Sequence, residues 1–322
     1  MSTAPWRRDA FAYPWSAPLA PRWSDCDTLR HLNNVALIGL HAEARQQWLA
    51  EVLGLSGVNA DEPVLRAAEL ATDFLAQGAY PEPLQATLRL LPPPGGVEPG
   101  SGWRLATALF QQRQCIGLQR VRLAAFDAPG GAPQPLPPAL HARLQAQLAR
   151  QMPLSPTQAA SEQEPETGDD LGALLDQQPP RWLTLQTRYR DLDAHQGLSE
   201  ATLASLVEHT RLQLLHPALA QARAEDPTSP GPLNFLVVHA RLQVLAQGRL
   251  HDTGAGELAV GGAVGHIGRS AVRLYSWIAP SPEDQPLALA ETVLVHVDGA
   301  GRPAPLPEAT RSAFQDWSPR PR

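Results

Sequence analysis

The two halves of this chain repeat the same short motifs in the same order, and this repeat constrains the fold more than any other feature of the sequence. The offset is 166 residues (193 − 27) for the first motif and 170 (245 − 75 and 305 − 135) for the other two. The pairs are Asp25-Cys26-Asp27 with Asp191-Leu192-Asp193, Leu75-Ala76-Gln77-Gly78 with Leu245-Ala246-Gln247-Gly248, and Pro135-Leu136-Pro137 with Pro305-Leu306-Pro307. One such match could arise by chance, but three in one order indicate a duplicated module.

The length of 322 residues suits two domains of roughly 150 residues each. We predict a first module at 1–150 and a second at 179–322. The stretch between them, 151–178, is rich in Pro, Ser, Gln and acidic residues and lacks apolar periodicity, which predicts a solvated linker. A second stretch rich in Pro and Gly, Pro92–Gly102, predicts a long hairpin connection inside the first module.

Each half is predicted to contain a strand, one long helix and four further strands. The first helix is capped by Asn33 or Asn34 and ends near Leu53, before Gly54; the second begins after Ser199 and ends at Pro217. The later strands are predicted by short apolar runs at 64–76, 84–91, 103–110 and 113–126, and at 233–246, 256–266, 270–278 and 287–297. This order predicts an α+β fold in which a curved antiparallel sheet wraps a central helix.

Composition excludes several classes of function. The formal net charge is −6, so no basic surface indicates a nucleic-acid or membrane partner. All 26 basic residues are arginine, which removes lysine Schiff-base chemistry and the P-loop lysine. Two cysteines, Cys26 and Cys115, form no disulfide framework, and the histidines show no metal-ligand spacing. No apolar run approaches the length of a membrane span, and we expect a cytoplasmic protein without a cofactor.

The junction between the first strand and the first helix carries the most specific signal, the run from Pro21 to Asn34: PRWSDCDTLRHLNN. It resembles the hotdog thioesterases of the 4-hydroxybenzoyl-CoA thioesterase type, with an Asp-x-Asp turn before the Asn-Asn that opens a helix. It is also similar to a motif of the plant acyl-ACP thioesterases. The resemblance implies two hotdog modules paired as an intramolecular pseudo-dimer, hydrolysing an acyl-CoA or acyl-carrier-protein thioester. A homodimer of this pseudo-dimer is left open.

The resemblance also implies roles for residues of the first module. Asp27 is expected to act as nucleophile or general base, and the backbone N–H of Asn34 to polarise the thioester carbonyl. His31 and Asn33 would orient water or substrate, and Glu43 matches the family's Glu-x-Arg on the helix. This agrees with simple chemistry, because a thioester needs an attacking carboxylate and an oxyanion donor, and a helix N-terminus supplies free N–H groups.

The second module departs from this pattern. Asp193 matches Asp27, with the backbone N–H of Glu200 at the helix start and His195 nearby. Gly197 stands in place of His31, Ser199-Glu200 replace Asn33-Asn34, and His209 replaces Glu43. We therefore expect Asp27 to carry most of the turnover.

The sequence leaves three other interpretations open. An Asp-x-Asp before a helix is often only a turn or a cap. The chain could be a non-catalytic acyl-binding or assembly module, because a fold can persist after its catalytic activity has been lost. A hotdog hydratase is less favoured, since its Gly-Asp-x-Asn-Pro-x-His run is absent. Cys26 is disfavoured as a nucleophile, because the flanking carboxylates oppose thiolate formation.

Overall fold

The computed structural model of the protein describes residues 5–59, 61–91, 102–126, 131–163, 171–227, 229–230, 234–246, 256–315 and 317–322. The chain divides into two units, Met1–Asp169 and Asp170–Arg322. The division falls inside the stretch 151–178 that was predicted as a linker. The bounds predicted for the two modules stay predictions. We refer to the units as module 1 and module 2.

Module 1 contains an antiparallel sheet with the strand order β1-β3-β4-β5-β2. Its strands are β1 (Trp15–Leu19), β2 (Leu65–Phe74), β3 (Leu84–Leu91), β4 (Arg104–Gln111), β5 (Gln114–Phe126) and the short β6 (Pro133–Gln134), which pairs with β5. The four later strands predicted for this module are confirmed to within a few residues. The hairpin connection predicted at Pro92–Gly102 falls almost wholly outside the described residues.

Module 2 repeats this order with its own strands, as β8-β10-β11-β12-β9. The strands are β7 (Gln177–Gln178), β8 (Arg181–Gln186), β9 (Phe235–Val244), β10 (Glu257–Ile267), β11 (Ala271–Ala279), β12 (Ala288–His296) and β13 (Arg320–Pro321). The irregularities repeat as well: the β2–β5 register shifts between Ala67 and Glu69, and the β9–β12 register shifts between Val293 and Leu294. An extra residue sits at the same place in both modules, so the duplication extends to the bulge.

The long helix of module 1, α1 (Asn34–Leu53), begins and ends as its local sequence predicts. The Asn33 side chain accepts a hydrogen bond from the Val35 N–H, and Gly54 adopts a left-handed conformation with φ of 59° at the C-cap. One face of α1 packs on the sheet through Leu37, Ala44, Trp48 and Leu49, all nearly inaccessible. Replacing a residue such as Trp48 with alanine would cost about 3–5 kcal/mol of stability.

The equivalent helix of module 2, α4 (Glu200–Glu225), shows that one prediction was wrong. Ser199 caps it as expected, but the helix continues past Pro217 to Glu225. Pro217 itself is exposed, whereas Ala218, Leu219 and Ala222 after it are buried in the core. Burial of this apolar turn outweighs the loss of one backbone hydrogen bond at the proline.

Three further helices follow the sheet strands: α2 (Pro138–Arg150), α3 (Pro156–Gln163) and α5 (Glu308–Gln315). The sequence did not predict them. Leu140 and Leu144 of α2 pack in the cluster with Trp48 and Trp103, and Phe314 of α5 packs in the cluster with Leu214 of α4. In each module a second helix thus completes the core beside the long one.

The expectation of a solvated linker at 151–178 is wrong at both of its described ends. Glu162 of α3 is 2% exposed and forms a buried ion pair with Arg7. Leu171 and Leu174 of a short 3-10 helix (Leu171–Asp176) are also buried, in a cluster with Trp277. Composition missed these contacts because the few apolar and charged groups responsible are spaced without a regular period.

Each module therefore has a long helix packed on one face of an antiparallel sheet, which is the hotdog arrangement. The sequence pattern anticipated this architecture. Among the helices that the structure describes, none has both the length and the apolar character needed to cross a membrane.

Candidate functional site

Asp27 closes a five-residue loop between β1 and α1. Its backbone N–H donates to the His31 carbonyl oxygen (3.0 Å), and its own carbonyl accepts from the Arg30 N–H (3.0 Å). Its side-chain Oδ1 accepts from the backbone N–H groups of Leu29 (2.8 Å) and His31 (3.5 Å). Arg30 adopts a left-handed conformation with φ of 65°. Oδ1 thus holds the loop, and in the described residues no hydrogen bond falls on Oδ2.

Asp193 forms the same loop in module 2. Its N–H donates to the Gly197 carbonyl (2.8 Å), and its Oδ1 accepts from the N–H groups of His195 (2.9 Å) and Gly197 (3.1 Å). Gln196 takes the left-handed position, with φ of 59°. Loop geometry is therefore preserved, although Gly197 has replaced His31.

A third copy of the loop lies at Asp298, after β12 and away from any helix start. Asp298 Oδ1 accepts from the N–H groups of Ala300 (2.9 Å) and Arg302 (3.0 Å), and Gly301 is left-handed with φ of 74°. The hydrogen bond from the Arg302 N–H lowers the pKa of the Asp298 carboxyl. Because this turn forms without a helix, the loop geometry alone is no evidence of catalysis. A catalytic role for Asp27 therefore depends on the elements that surround its loop.

The context of Asp27 is the N-terminus of α1. Two hydrogen bonds anchor the approach: the Leu32 N–H donates to the Gly78 carbonyl (2.9 Å), and the Asn33 N–H donates to the Asp25 carbonyl (2.8 Å). The Asn33 side chain is the N-cap, accepting from the Val35 N–H at 2.6 Å. Asn34 is the first helical residue, and in the described part of the chain its N–H has no hydrogen-bond acceptor. This donor points out of the positive end of the helix dipole.

The structure brings four of the predicted residues together and leaves one apart. Asp27, His31, Asn33 and Asn34 lie within one eight-residue segment, and all four are half-buried. Glu43 lies on the exposed face of α1, where its Oε1 accepts from Gln47 Nε2 at 2.9 Å. A catalytic role for Glu43 stays a prediction without support from this placement.

At Asp193 the helix start is built differently. Ser199 is the N-cap and accepts from the Thr202 N–H at 3.1 Å. The Thr202 hydroxyl in turn donates to the Asp191 carbonyl at 2.8 Å. A short hydroxyl side chain thus replaces the Asn33 amide as the cap, and the helix still begins at the equivalent residue, Glu200 in place of Asn34.

Sequence reasoning missed a buried polar layer between α1 and the sheet of module 1. His41 Nδ1 lies 2.7 Å from Thr107 Oγ1 on β4, Arg45 donates to Gln119 on β5 (3.5 Å), and Gln119 donates to Thr72 on β2 (3.0 Å). Burial, together with the smaller effect of the nearby Arg45 charge, lowers the pKa of His41 to about 3, so the imidazole is neutral at physiological pH. The detectable signal was the helical spacing, because His41 and Arg45 share the face that carries Leu37 and Trp48.

In the part of the chain that the structure describes, no three His, Cys, Asp or Glu side chains lie close enough together to bind a metal ion. Burial raises the pKa of the Cys115 thiol to about 12, so this thiol is unreactive at neutral pH.

Residues 21–144 match a family model described as the Thioesterase-like superfamily. The matched segment starts just before the Asp-x-Asp turn and ends within α2, so it contains the Asp27 junction, the long helix and strands β2 to β6. The chain is a tandem hotdog protein, and its first module carries the segment that matches the thioesterase-like superfamily.

Two solved structures share the fold over both modules. One is an acyl-ACP thioesterase from Bacteroides thetaiotaomicron, 12% identical with a TM-score of 0.55, and the match covers 87% of this chain and 97% of that one. The other is the 12:0-ACP thioesterase from Umbellularia californica, 8% identical with a TM-score of 0.60, covering 88% and 97%. Identities this low establish the fold alone. No curated protein matches this chain by sequence.

Proposed function

We propose that the protein hydrolyses an acyl thioester carried by CoA or by acyl carrier protein, with Asp27 of module 1 as its principal catalytic carboxylate. The observation that carries the proposal is that the Asp27 carboxylate and the Asn34 N–H, which has no acceptor among the described residues, belong to one strand–helix junction. The family match includes this junction, and both structural neighbours are named as acyl-ACP thioesterases.

The two oxygens of the Asp27 carboxylate differ in their hydrogen bonding, and this difference supports a catalytic role for Asp27. Oδ1 accepts the two loop amides and so fixes the side chain, while Oδ2 is left for chemistry. An attacking group held by its own loop loses little conformational freedom on reaching the transition state. Asp298 has the same loop but no helix N-terminus after it, so it lacks the second component.

The reaction then follows from the two groups. The Asn34 N–H donates to the thioester carbonyl oxygen and stabilises the negative charge that develops there. Asp27 Oδ2 takes a proton from water, and the resulting hydroxide attacks the carbonyl carbon. The carbon–sulfur bond breaks, the sulfur leaves as thiolate, and the proton held by Asp27 passes to it. Direct attack by Oδ2 would instead form a mixed anhydride that water hydrolyses in a second step.

The roles proposed for the neighbours are smaller. Half-buried His31 borders the loop and would orient the attacking water, whereas Asn33 holds the helix start through its cap. Asp193 has an equivalent loop, but Gly197 has replaced the histidine beside it, and we assign it the lesser share of turnover.

Thiol release tests the proposal directly. The purified full-length protein is given a panel of acyl-CoA and acyl-carrier-protein substrates, and free thiol is followed with a thiol-reactive dye. Turnover of at least one substrate, abolished by Asp27→Asn, is expected. Binding of acyl groups without any thiol release would instead favour the non-catalytic acyl-binding interpretation.

A further inference from the structure

Arg30 occupies a left-handed backbone position in the loop that holds Asp27. It is the fourth residue of the turn, its φ is 65°, and its side chain is exposed. A residue with a Cβ atom is disfavoured in this conformation, which glycine adopts freely. The turn at Asp298 has the same backbone hydrogen bonds and places Gly301 at the fourth position, with φ of 74°. The turn itself therefore does not need an arginine, and a disfavoured conformation beside a candidate catalytic group indicates a use for the side chain.

The Arg30 guanidinium has neither a hydrogen bond nor an ion pair with any residue that the structure describes. It does not turn back to the carboxylate of its own loop, where Asp27 Oδ2 accepts no hydrogen bond. The arginine of the Asp298 turn does turn back: Arg302 Nε donates to Asp298 Oδ2 at 3.3 Å. Because arginine stays protonated, Arg30 keeps a full positive charge that can bind an anion from outside the chain.

Arg30 lies on the exposed side of the candidate site. Asp27 and Arg30 are three residues apart in a closed turn, so their Cα atoms are at most about 11 Å apart. Leu29, between them, is 36% exposed. CoA and carrier proteins are large and hydrophilic, so the carrier of a bound acyl group stays in solvent while the thioester lies at the junction. The arm that joins carrier and thioester therefore crosses an exposed surface, and Arg30 is the arginine of this loop.

Module 2 has the same turn without the charge. Gln196 takes the fourth position there, with φ of 59°. The Asp193 loop is otherwise closed by the same hydrogen bonds as the Asp27 loop. A neutral side chain thus suffices for the turn, and module 2 provides an internal control for the arginine.

We propose that Arg30 binds the phosphate at the end of the pantetheine arm, the group through which both CoA and acyl carrier protein hold an acyl chain. This inference rests on the proposed function and assigns it a specificity residue. A guanidinium presents a planar fork of N–H donors that matches two phosphate oxygens. The phosphate is remote from the reacting bond and is bound alike in the ground state and the transition state. Arg30 therefore acts on KM rather than on kcat.

Two thioesters that differ by one phosphate test the contact. They are an acyl-4′-phosphopantetheine and the acyl-pantetheine with the same acyl group, chosen as the best one in the thiol-release panel. The wild-type KM should be about tenfold lower for the phosphorylated member, the effect of one charge-assisted hydrogen bond. Arg30→Gln installs the residue of module 2 and should bring this ratio to near one by raising the KM of the phosphorylated member.

Arg150→Gln is the matched control for charge, because it makes the same change on α2. Arg143 of that helix donates to the Leu53 carbonyl at the C-terminal end of α1, about 30 Å along the helix from the Asp27 junction. Arg150 is exposed, and the phosphate preference should survive its replacement.

Glycine at the fourth position separates the backbone from the charge. Arg30→Gly should raise the melting temperature, because glycine suits a positive φ, and should also abolish the phosphate preference. Gln196→Gly makes the same backbone change in module 2. It should raise the melting temperature and leave the preference as in wild type. A loss of preference that accompanies a gain in stability is not explained by damage to the fold.

Acyl-CoA and acyl carrier protein show which phosphate Arg30 binds. Both carry the pantetheine phosphate, so Arg30→Gln should raise the KM of both. A rise confined to acyl-CoA would assign Arg30 to the nucleotide phosphates and overturn the proposal. A preference that is absent from wild type, or that survives Arg30→Gln, would also overturn it while the proposed function stands. If no thioester is cleaved at all, the proposed function fails and this inference fails with it.

Discussion

Asp27 and Asp298 hold identical turns: in each, Oδ1 accepts from the backbone N–H groups two and four residues later. They differ in the element that comes next, because Asp27 leads into the N-terminus of α1 whereas Asp298 leads away from β12. One aspartate is thus placed to use an oxyanion donor, and the other is a turn residue of the same construction. The chain therefore provides its own control for a catalytic test.

Asp27→Asn should lower kcat/KM by about 10²–10⁴-fold, the loss typical of a general base. The amide oxygen of asparagine can still accept the loop hydrogen bonds, so folding should persist. The matched control is Asp298→Asn, which makes the same change in the same turn and should leave kcat/KM near wild type. Equal losses in both variants would mean that the turn, rather than the chemistry of Asp27, matters for activity.

Asp193→Asn should change kcat/KM by less than about tenfold, or about 1.4 kcal/mol in the barrier. The reason is that its loop is intact but the groups matching His31, Asn33 and Asn34 have been replaced. The assay uses the best acyl-CoA, with melting temperature as the folding control. Complete loss of activity here, with Asp27→Asn unaffected, would reverse the assignment of the two modules.

Glu162→Gln should destabilise module 1 by about 3–5 kcal/mol, because it leaves the Arg7 charge buried without its partner. Glu69→Gln is the matched control: its ion pair with Arg122 is partly exposed, at 49% and 32%, and should contribute less than about 1 kcal/mol. Urea unfolding of each full-length variant measures the difference. Similar losses for the two would contradict the distinction between buried and exposed pairs.

Pro217→Ala should raise the stability of module 2, because alanine restores a backbone N–H inside α4 and removes the clash with the preceding turn; the gain should be about 1–3 kcal/mol. Pro138→Ala is the control, since proline at the start of α2 costs little. The midpoint of thermal unfolding reports both. No gain at Pro217 would show that the helix already accommodates the proline by a local adjustment.

Local signals predicted the local structure well. Asn33 and Gly54 indicated both ends of α1, because a cap needs only its own side chain or its own backbone conformation. The start of α2 was missed because Pro137-Pro138 resembles a loop, although proline suits the first helical position. His41 was missed for a different reason: its partner Thr107 is 66 residues away, and no periodicity in the sequence reports that contact. The side-by-side pairing of the two modules stays a prediction.

The ion pair between Arg7 and Glu162 joins residues 155 positions apart within one module. It therefore decides where this gene segment can be cut for exchange with a related one. A chimaera joined at residue 151, where the composition changes, would separate the two charges and leave Arg7 facing a foreign surface. A junction placed between Gln163 and Leu171 would keep Arg7 and Glu162 in the same segment, and the first hotdog module would be transferred with its buried ion pair intact.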